Sequence, residues 1–158
     1  MTLAIRVMAL ATWQQAVESE AALEHPSALA ALLAVQQVQG YVSPEALEAI
    51  QRRLVVPQAE LFGVLGFYHD LRTTAPGRHL VRVCQGDSCH AKEGTAILEG
   101  ACKSLRIEAG KTTHDGRVSL DVVYCLGNCA RSPSVMVDGE VKGDVTVAGL
   151  HRLLEGLR

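Results

Sequence analysis

The chain has 158 residues, of which 48% are hydrophobic, 20% charged and only 4% aromatic, and its formal net charge is −2. Those values suit one soluble globular domain with a helical appendage and an aliphatic core. They lack the basic surplus that binding nucleic acid or an anionic lipid surface requires. The longest apolar run, residues 28–35, falls far short of the roughly 20 residues needed to span a bilayer.

Near the start, Arg6 precedes a short apolar run, 7–11, which is shorter than the apolar core of about 7–15 residues in a secretory signal. The expected compartment is therefore the cytoplasm, where clustered thiols stay reduced and act as ligands more often than as disulfides. Residues 13–23 show helical spacing at Trp13, Ala16, Val17 and Glu20. After the break at His25-Pro26, Ser27 is a helix cap for residues 28–39, with Leu29, Leu32 and Leu33 on one face and Gly40 as the C-terminal stop. Ser43-Pro44-Glu45 is a helix start, with Leu47, Ile50 and Leu54 along one side. Pro57 opens another short helix carrying Leu61, Val64 and Leu65.

The pattern changes after Thr73-Thr74-Ala75-Pro76-Gly77, a turn and expected linker. Residues 78–84 alternate as a strand, and residues 91–105 read as a helix with Ala96, Ile97, Leu98, Ala101 and Leu105 inward. Residues 110–116 form a polar loop and 117–124 a second strand. Segments 134–137 and 140–142 flank Asp138-Gly139, a type I′ hairpin signal. A closing helix over 146–157 carries Val147, Leu150, Leu153, Leu154 and Leu157. The resulting order β-α-β-β-β-α requires a small mixed sheet with helices on its faces.

Four of the five cysteines fall in two close pairs, giving C-x4-C-x35-C-x3-C over Cys84, Cys89, Cys125 and Cys129. Each pair sits where an apolar strand runs into a glycine-bearing turn. A [2Fe–2S] cluster needs four sulfurs, two on each iron, and two short pairs on adjacent loops meet that need. A structural zinc site also accepts four thiolates, but usually from pairs two residues apart. Disulfides do not suit a chain without a secretory signal, and a redox dithiol wants C-x-x-C after a strand, which neither pair has. Cys102 lies mid-helix and is expected to pack as a small hydrophobe.

Several neighbours of the pairs carry two readings. Gly86 and Gly127 allow the backbone close to inorganic sulfide and can donate N–H bonds to it, or they are simply turn residues. Asp87 is either a carboxylate that disfavours an added electron or a solvated turn residue. His90 reads as a solvated residue at a helix start rather than a ligand. The Ser132–Pro133 bond has a cis reading, in which it bends the chain around the cluster, and a trans one, the statistical default. No G-x-G-x-x-G, P-loop, H-E-x-x-H or G-x-S-x-G motif is present, so the chain carries no recognisable nucleotide or substrate-converting site of its own.

The two cysteine pairs, with Tyr124-Cys125-Leu126-Gly127-Asn128-Cys129 and Pro133 following, resemble the thioredoxin-like [2Fe–2S] ferredoxins. More closely they resemble the small iron–sulfur subunit of complex I-type NADH dehydrogenases and its soluble relatives. His25-Pro26-Ser27, Gly40-Tyr41-Val42-Ser43 and Gly66-Phe67-Tyr68-His69-Asp70-Leu71-Arg72 are similar to that family's helical N-terminal region, so the resemblance runs from about His25 to the C-terminus. Within the family, the stretch from Phe67 to Arg72 is most similar to the gamma subunit of NAD-dependent formate dehydrogenases. The resemblance implies an α/β (α+β) architecture, with a helical bundle over 1–73 and a thioredoxin-like domain with a small mixed sheet over 78–158. It implies Cys84, Cys89, Cys125 and Cys129 as ligands of one [2Fe–2S] cluster in an electron-transfer subunit. The implied partners are an FMN- and [4Fe–4S]-containing, NAD(H)-binding beta subunit and, through it, a molybdenum or tungsten catalytic alpha subunit. The competing reading is a zinc-stabilised four-cysteine interaction module without redox function.

Overall fold

In a computed structural model, residues 12–157 are described; the Arg6 stretch lies outside them. The chain divides into two compact units, with the boundary between Ala75 and Pro76.

The first unit contains α1 (Trp13–Ala21), α2 (Ala28–Gln39), α3 (Pro44–Leu54) and α4 (Gln58–Phe67). Three of these start on a side-chain cap, because the first N–H groups of a helix have no partner within it. Thr12 accepts from the Gln15 N–H, Ser27 from Ala30 and Ser43 from Ala46. Pro44 follows the last cap at the first helical position, as the sequence indicates. The end of α2 is marked by Gly40 in the left-handed region, φ 88°. Its buried seam is Ala28, Ala31, Leu32 and Val35, whereas Leu29 and Leu33, expected at its centre, are only half-buried on its flanks. The alanines set the seam because small side chains let neighbouring helices approach. Ala16, Val17, Ala46, Ile50 and Leu61 complete this core. Glu20 is buried among them, and its carboxylate accepts from the Ser27 N–H at 2.9 Å, so α1 helps cap the next helix.

The second unit has β1 (His79–Cys84), a four-residue helix α5 (Asp87–His90), α6 (Gly94–Leu105), β2 (Lys111–Thr112) and β3 (Val118–Val123). A 3-10 turn (Cys129–Arg131), β4 (Val135–Val137), β5 (Glu140–Lys142) and α7 (Val147–Gly156) follow. The strands form one mixed sheet in the order β2-β3-β1-β4-β5, in which β1 and β3 are parallel and the other neighbours antiparallel. Val81, Val83, Val118, Leu120 and Val135 from the sheet pack with Ile97, Ala101, Leu105, Leu150 and Leu154 from the helices. This mixed α/β arrangement is the fold class expected from the element order.

Three local expectations are corrected. The helix expected from residue 91 begins at Gly94, after a separate turn of helix that ends at His90, so His90 closes a helix rather than opening one. Glu93 at φ 66° separates the two, and a Cβ on Gly94 would lie 2.7 Å from the Cys89 carbonyl oxygen, so contact with the preceding turn dictates the break. On α6, Ala96 faces solvent and Gly100 is buried against Val147 of α7. Within the expected loop 110–116, Lys111 and Thr112 pair with Leu120 and Ser119, because the outer edge of β3 offers them partners. Of its two readings, the Ser132–Pro133 bond takes the cis one, which the small trans preference of an X–Pro amide permits. The hairpin at Asp138-Gly139 has positive φ at both residues, 50° and 90°, as a type I′ turn requires. No helix among the described residues is long and apolar enough to cross a membrane.

Two glycine substitutions check the packing. A Cβ on Gly86 would sit 2.3 Å from the Tyr124 carbonyl oxygen, whereas one on Gly63 in α4 meets nothing within 4 Å. Gly86→Ala is expected to lower stability to urea by about 1–3 kcal/mol through forced displacement of the two loops. Gly63→Ala is expected to raise it by about 0.5–1 kcal/mol by removing backbone entropy from a helix.

Candidate metal centre

The site begins with the parallel pairing of β1 and β3. Their register places Cys84 opposite Val123, so β1 ends in a cysteine while β3 runs on through Tyr124 to Cys125 at the same edge of the sheet. The Gln85 N–H donates to the Val123 carbonyl at 2.8 Å and extends the ladder one residue past Cys84. Gly86 then lies against the Tyr124 carbonyl, an approach that no residue with a Cβ reaches without displacement. The chain turns into α5, where the His90 N–H donates to the Gly86 carbonyl at 2.9 Å and Cys89 is carried inward. The Gln85 side chain donates to the carbonyls of Cys84 at 3.1 Å and Gly94 at 2.8 Å, tying this loop to the start of α6.

The second loop is built differently. Gly127 adopts φ 73°, and its N–H donates to the Cys125 sulfur at 3.3 Å. Its left-handed conformation makes Gly127 the turn residue, and its N–H is directed at a cysteine sulfur. Cys129 opens the 3-10 turn, which is held by the Arg131 N–H donating to the Asn128 carbonyl at 3.0 Å.

The parallel register sets the two cysteine-bearing loops side by side, and the thiols act on one another in two couples, Cys84 with Cys89 and Cys125 with Cys129. The couples are near enough for charge on Cys84 to act on Cys129 and charge on Cys129 on Cys89. Burial, followed by hydrogen bonding of its S–H to Cys84, pushes the Cys89 thiol above its ordinary pKa, against a lowering by the Ser134 backbone. The hydrogen bond with Cys125, followed by the charge on Cys125, raises that of Cys129. The couples differ in environment: Cys84 and Cys89 are 4% and 2% exposed, while Cys125 and Cys129 face solvent. Among the described residues, no three or more His, Cys, Asp or Glu gather closely enough to hold a single metal ion. Two separate couples fit a binuclear iron–sulfur group, which takes two thiolates at each iron, better than one tetrahedral ion.

Cys102 lies on α6, half-buried against the aliphatic core and away from these couples. Asp87 is exposed as the first residue of α5, and the exposed His90 ring pairs with the Thr95 hydroxyl at 3.1 Å rather than with sulfur. Sequence reasoning did not single out Gln85, Ser88, Asn128 or Ser134, all of which brace the loops through hydrogen bonds. Polar residues of these types occur in most turns, so nothing in their identity separates them from solvated ones.

The chain matches the family described as "Thioredoxin-like [2Fe-2S] ferredoxin" over residues 14–158. It is 37% identical over 129 residues to the E-type subunit of the NADH-quinone oxidoreductase of Pseudomonas aeruginosa, covering 82% of this chain and 78% of that one. It is 34% identical over 119 residues to the HndA subunit of the NADP-reducing hydrogenase of Solidesulfovibrio fructosivorans, covering 75% of this chain and 70% of that one. Among solved structures, NAD+-reducing [NiFe]-hydrogenase in its H2-reduced state superposes with a TM-score of 0.68 at 22% identity. That match covers 80% of this chain but only 22% of the hydrogenase chain, and it speaks to fold alone. Taken with the parallel β1–β3 core, the two thiol couples at its edge and the match over nearly the whole length, the chain belongs to the thioredoxin-like [2Fe–2S] ferredoxin family, whose cofactor is a [2Fe–2S] cluster.

Proposed function

We propose that Cys84, Cys89, Cys125 and Cys129 hold the [2Fe–2S] cluster and that the chain serves as an electron-transfer subunit of an NAD-linked oxidoreductase complex. The observation that carries this reading is the convergence of the two cysteine-bearing loops at the carboxyl ends of the paired strands β1 and β3. When bound, the group supplies reversible one-electron chemistry. The residues do the rest. Cys84 and Cys89 form the shielded side of the cage, Cys125 and Cys129 the solvent side, and the Gly127 N–H offsets negative charge on the Cys125 sulfur. A partner approaching the site meets Cys125, Cys129 and the exposed Tyr124 ring first.

Anaerobic purification should give a brown protein with two irons and two sulfides per chain, as the cluster stoichiometry dictates, and an EPR signal after dithionite reduction. Cys84→Ser or Cys129→Ser should weaken or abolish both. A colourless protein with zinc on four thiolates would replace this reading with the zinc-stabilised module.

Deprotonation gives a pH prediction. Ligation requires thiolates, and the raised pKa values of Cys89 and Cys129 keep their protons on at neutral pH. Chemical reconstitution should therefore accelerate as pH rises from 7 toward the ordinary thiol value of 9.0. The cluster-free protein shows the opposite trend in stability. Protonated Cys89 is favoured by folding, so this contribution is complete below the ordinary thiol pKa and is lost as pH climbs through the raised one. Thermal melts of cluster-free protein should show a steeper fall above pH 9 than those of Cys89→Ala.

The finer assignment, also proposed, is the gamma subunit of an NAD-dependent formate dehydrogenase. Its partners would be an FMN- and [4Fe–4S]-containing, NAD(H)-binding beta subunit and a molybdenum or tungsten catalytic alpha subunit. The similarity of residues 67–72 supports it, and their setting suits them to contact with a partner. The Gln36 side chain donates to the Asp70 carbonyl at 2.7 Å and accepts from the Arg72 N–H at 2.6 Å, and Leu71 is buried. The backbone is thereby held while the Phe67 and Tyr68 rings, in edge contact at 5.1 Å, stand 74% and 41% exposed. Phe67→Ala with Tyr68→Ala should weaken binding to the flavin subunit by about tenfold or more, as loss of an aromatic anchor does, and leave the EPR signal unchanged. Co-purification of the native complex with a catalytic subunit that does not oxidise formate would overturn this assignment.

A further inference from the structure

The two thiol couples are held in register by different means. Cys84 and Cys125 follow directly from paired strands, and Cys89 is buried on α5. Cys129 lies four residues beyond Cys125 at the tip of an exposed loop, and no strand pairing reaches it.

The Cys129 carbonyl accepts from the Ser132 N–H at 3.4 Å within its own turn, and two serine hydroxyls join that bond. The Ser88 hydroxyl, between the two cysteines of the first loop, donates to the Cys129 carbonyl at 3.2 Å. The Ser132 hydroxyl donates to the same carbonyl at 3.0 Å, and the two hydroxyl oxygens lie 3.0 Å apart. Two hydroxyl protons thus face three close contacts, and the 3.0 Å separation lets either serine donate to the other in place of the carbonyl. Ser132 is 3% exposed, so its hydroxyl is removed from water and its bond within the protein is the one available. Behind it the Asn128 amide donates to the Ser134 hydroxyl at 3.2 Å, and Ser134 donates to the Arg131 carbonyl at 3.2 Å. The Asp144 N–H donates to that same carbonyl at 2.7 Å. A Cβ on Gly143 would lie 2.6 Å from the Asn128 amide nitrogen, so the outer side of the loop is closely packed as well.

We propose that Ser88 and Ser132 are positioning residues that clasp the Cys129 carbonyl and set the span between the two thiol couples. The clasp rests on the reading that these couples hold the cluster. It acts through the backbone of a ligand residue and touches no thiol, so it fixes where the Cys129 sulfur stands without competing for metal. Each half of the clasp comes from a different loop: Ser88 moves with Cys84 and Cys89, and Ser132 with Cys129. Loss of the Ser88 hydroxyl frees Cys129 from the first loop while leaving the strand register intact, and loss of the Ser132 hydroxyl removes the contact that orients Ser88 and loosens the turn that carries Cys129.

The test compares Ser88→Ala, Ser132→Ala, the double variant and Ser88→Thr in the full-length chain, with Val118→Ala as a destabilised control distant in sequence from both loops. The measurements are the EPR line shape of the reduced protein, the rate of chelator-driven cluster loss and the melting temperature. The double variant should show altered g-values and lose its cluster about five- to tenfold faster, the effect of removing one net hydrogen bond. Ser88→Thr, which keeps the hydroxyl, should restore both readouts. Val118→Ala should lower the melting temperature without changing the EPR line shape. If the alanine variants keep the wild-type line shape and loss rate, or if Val118→Ala loses the cluster as fast as they do for the same fall in melting temperature, the clasp is overturned. Absence of any iron–sulfur signal in the wild-type chain would instead overturn the ligand assignment.

Discussion

The parallel register between β1 and β3 is the constraint from which the site follows. Once His79 is paired with Val118 and Cys84 with Val123, two loops leave the same edge of the sheet side by side. A parallel pair needs a long crossover between its strands, and here α6 fills that stretch while burying Ile97, Ala101 and Leu105 on the sheet. The 35-residue gap between the cysteine pairs is therefore the length of chain needed to leave one strand end and return to its neighbour.

Close backbone contacts then fix the loops that carry the cysteines. Gly86 against the Tyr124 carbonyl, Gly94 against the Cys89 carbonyl and Gly143 against Asn128 each occupy a place where a Cβ would collide. Glycine in such positions costs conformational entropy in the unfolded chain, and what it secures is a fixed spacing of loops that carry the thiols. Around that frame the polar side chains of Gln85, Ser88, Ser132 and Ser134 donate to carbonyls of the turns. The unequal exposure of the two couples results from the same geometry: Cys84 and Cys89 lie under the start of α6, while Cys125 and Cys129 follow β3 out to the surface.

The helical unit follows the same economy with other means. Side-chain caps at Thr12, Ser27 and Ser43 begin its first three helices, and alanines at 28, 31 and 46 let them pack closely. Its last helix, α4, buries only Leu61 fully and leaves Phe62 and Phe67 largely exposed. With Gln36 anchoring the backbone at 70–72, the aromatic face is presented on a fixed support.

Much of this was legible in the sequence because it depends on local chemistry. The serine caps, Pro44 at a helix start, Gly40 at a helix end and Asp138-Gly139 in a tight hairpin each express a backbone requirement met by the residue itself. The cysteine spacing likewise put two thiol pairs on two loops, and the parallel register sets those loops side by side. What lay beyond reach was decided by contacts between distant segments. The break before Gly94, the buried position of Gly100, the pairing of β2, and the meeting of Ser88 with the Cys129 carbonyl each involve partners that become neighbours only when strands pair or helices pack. A serine in a turn has the same local preferences whether it faces water or a carbonyl 41 positions away, so only the tertiary structure distinguishes the two.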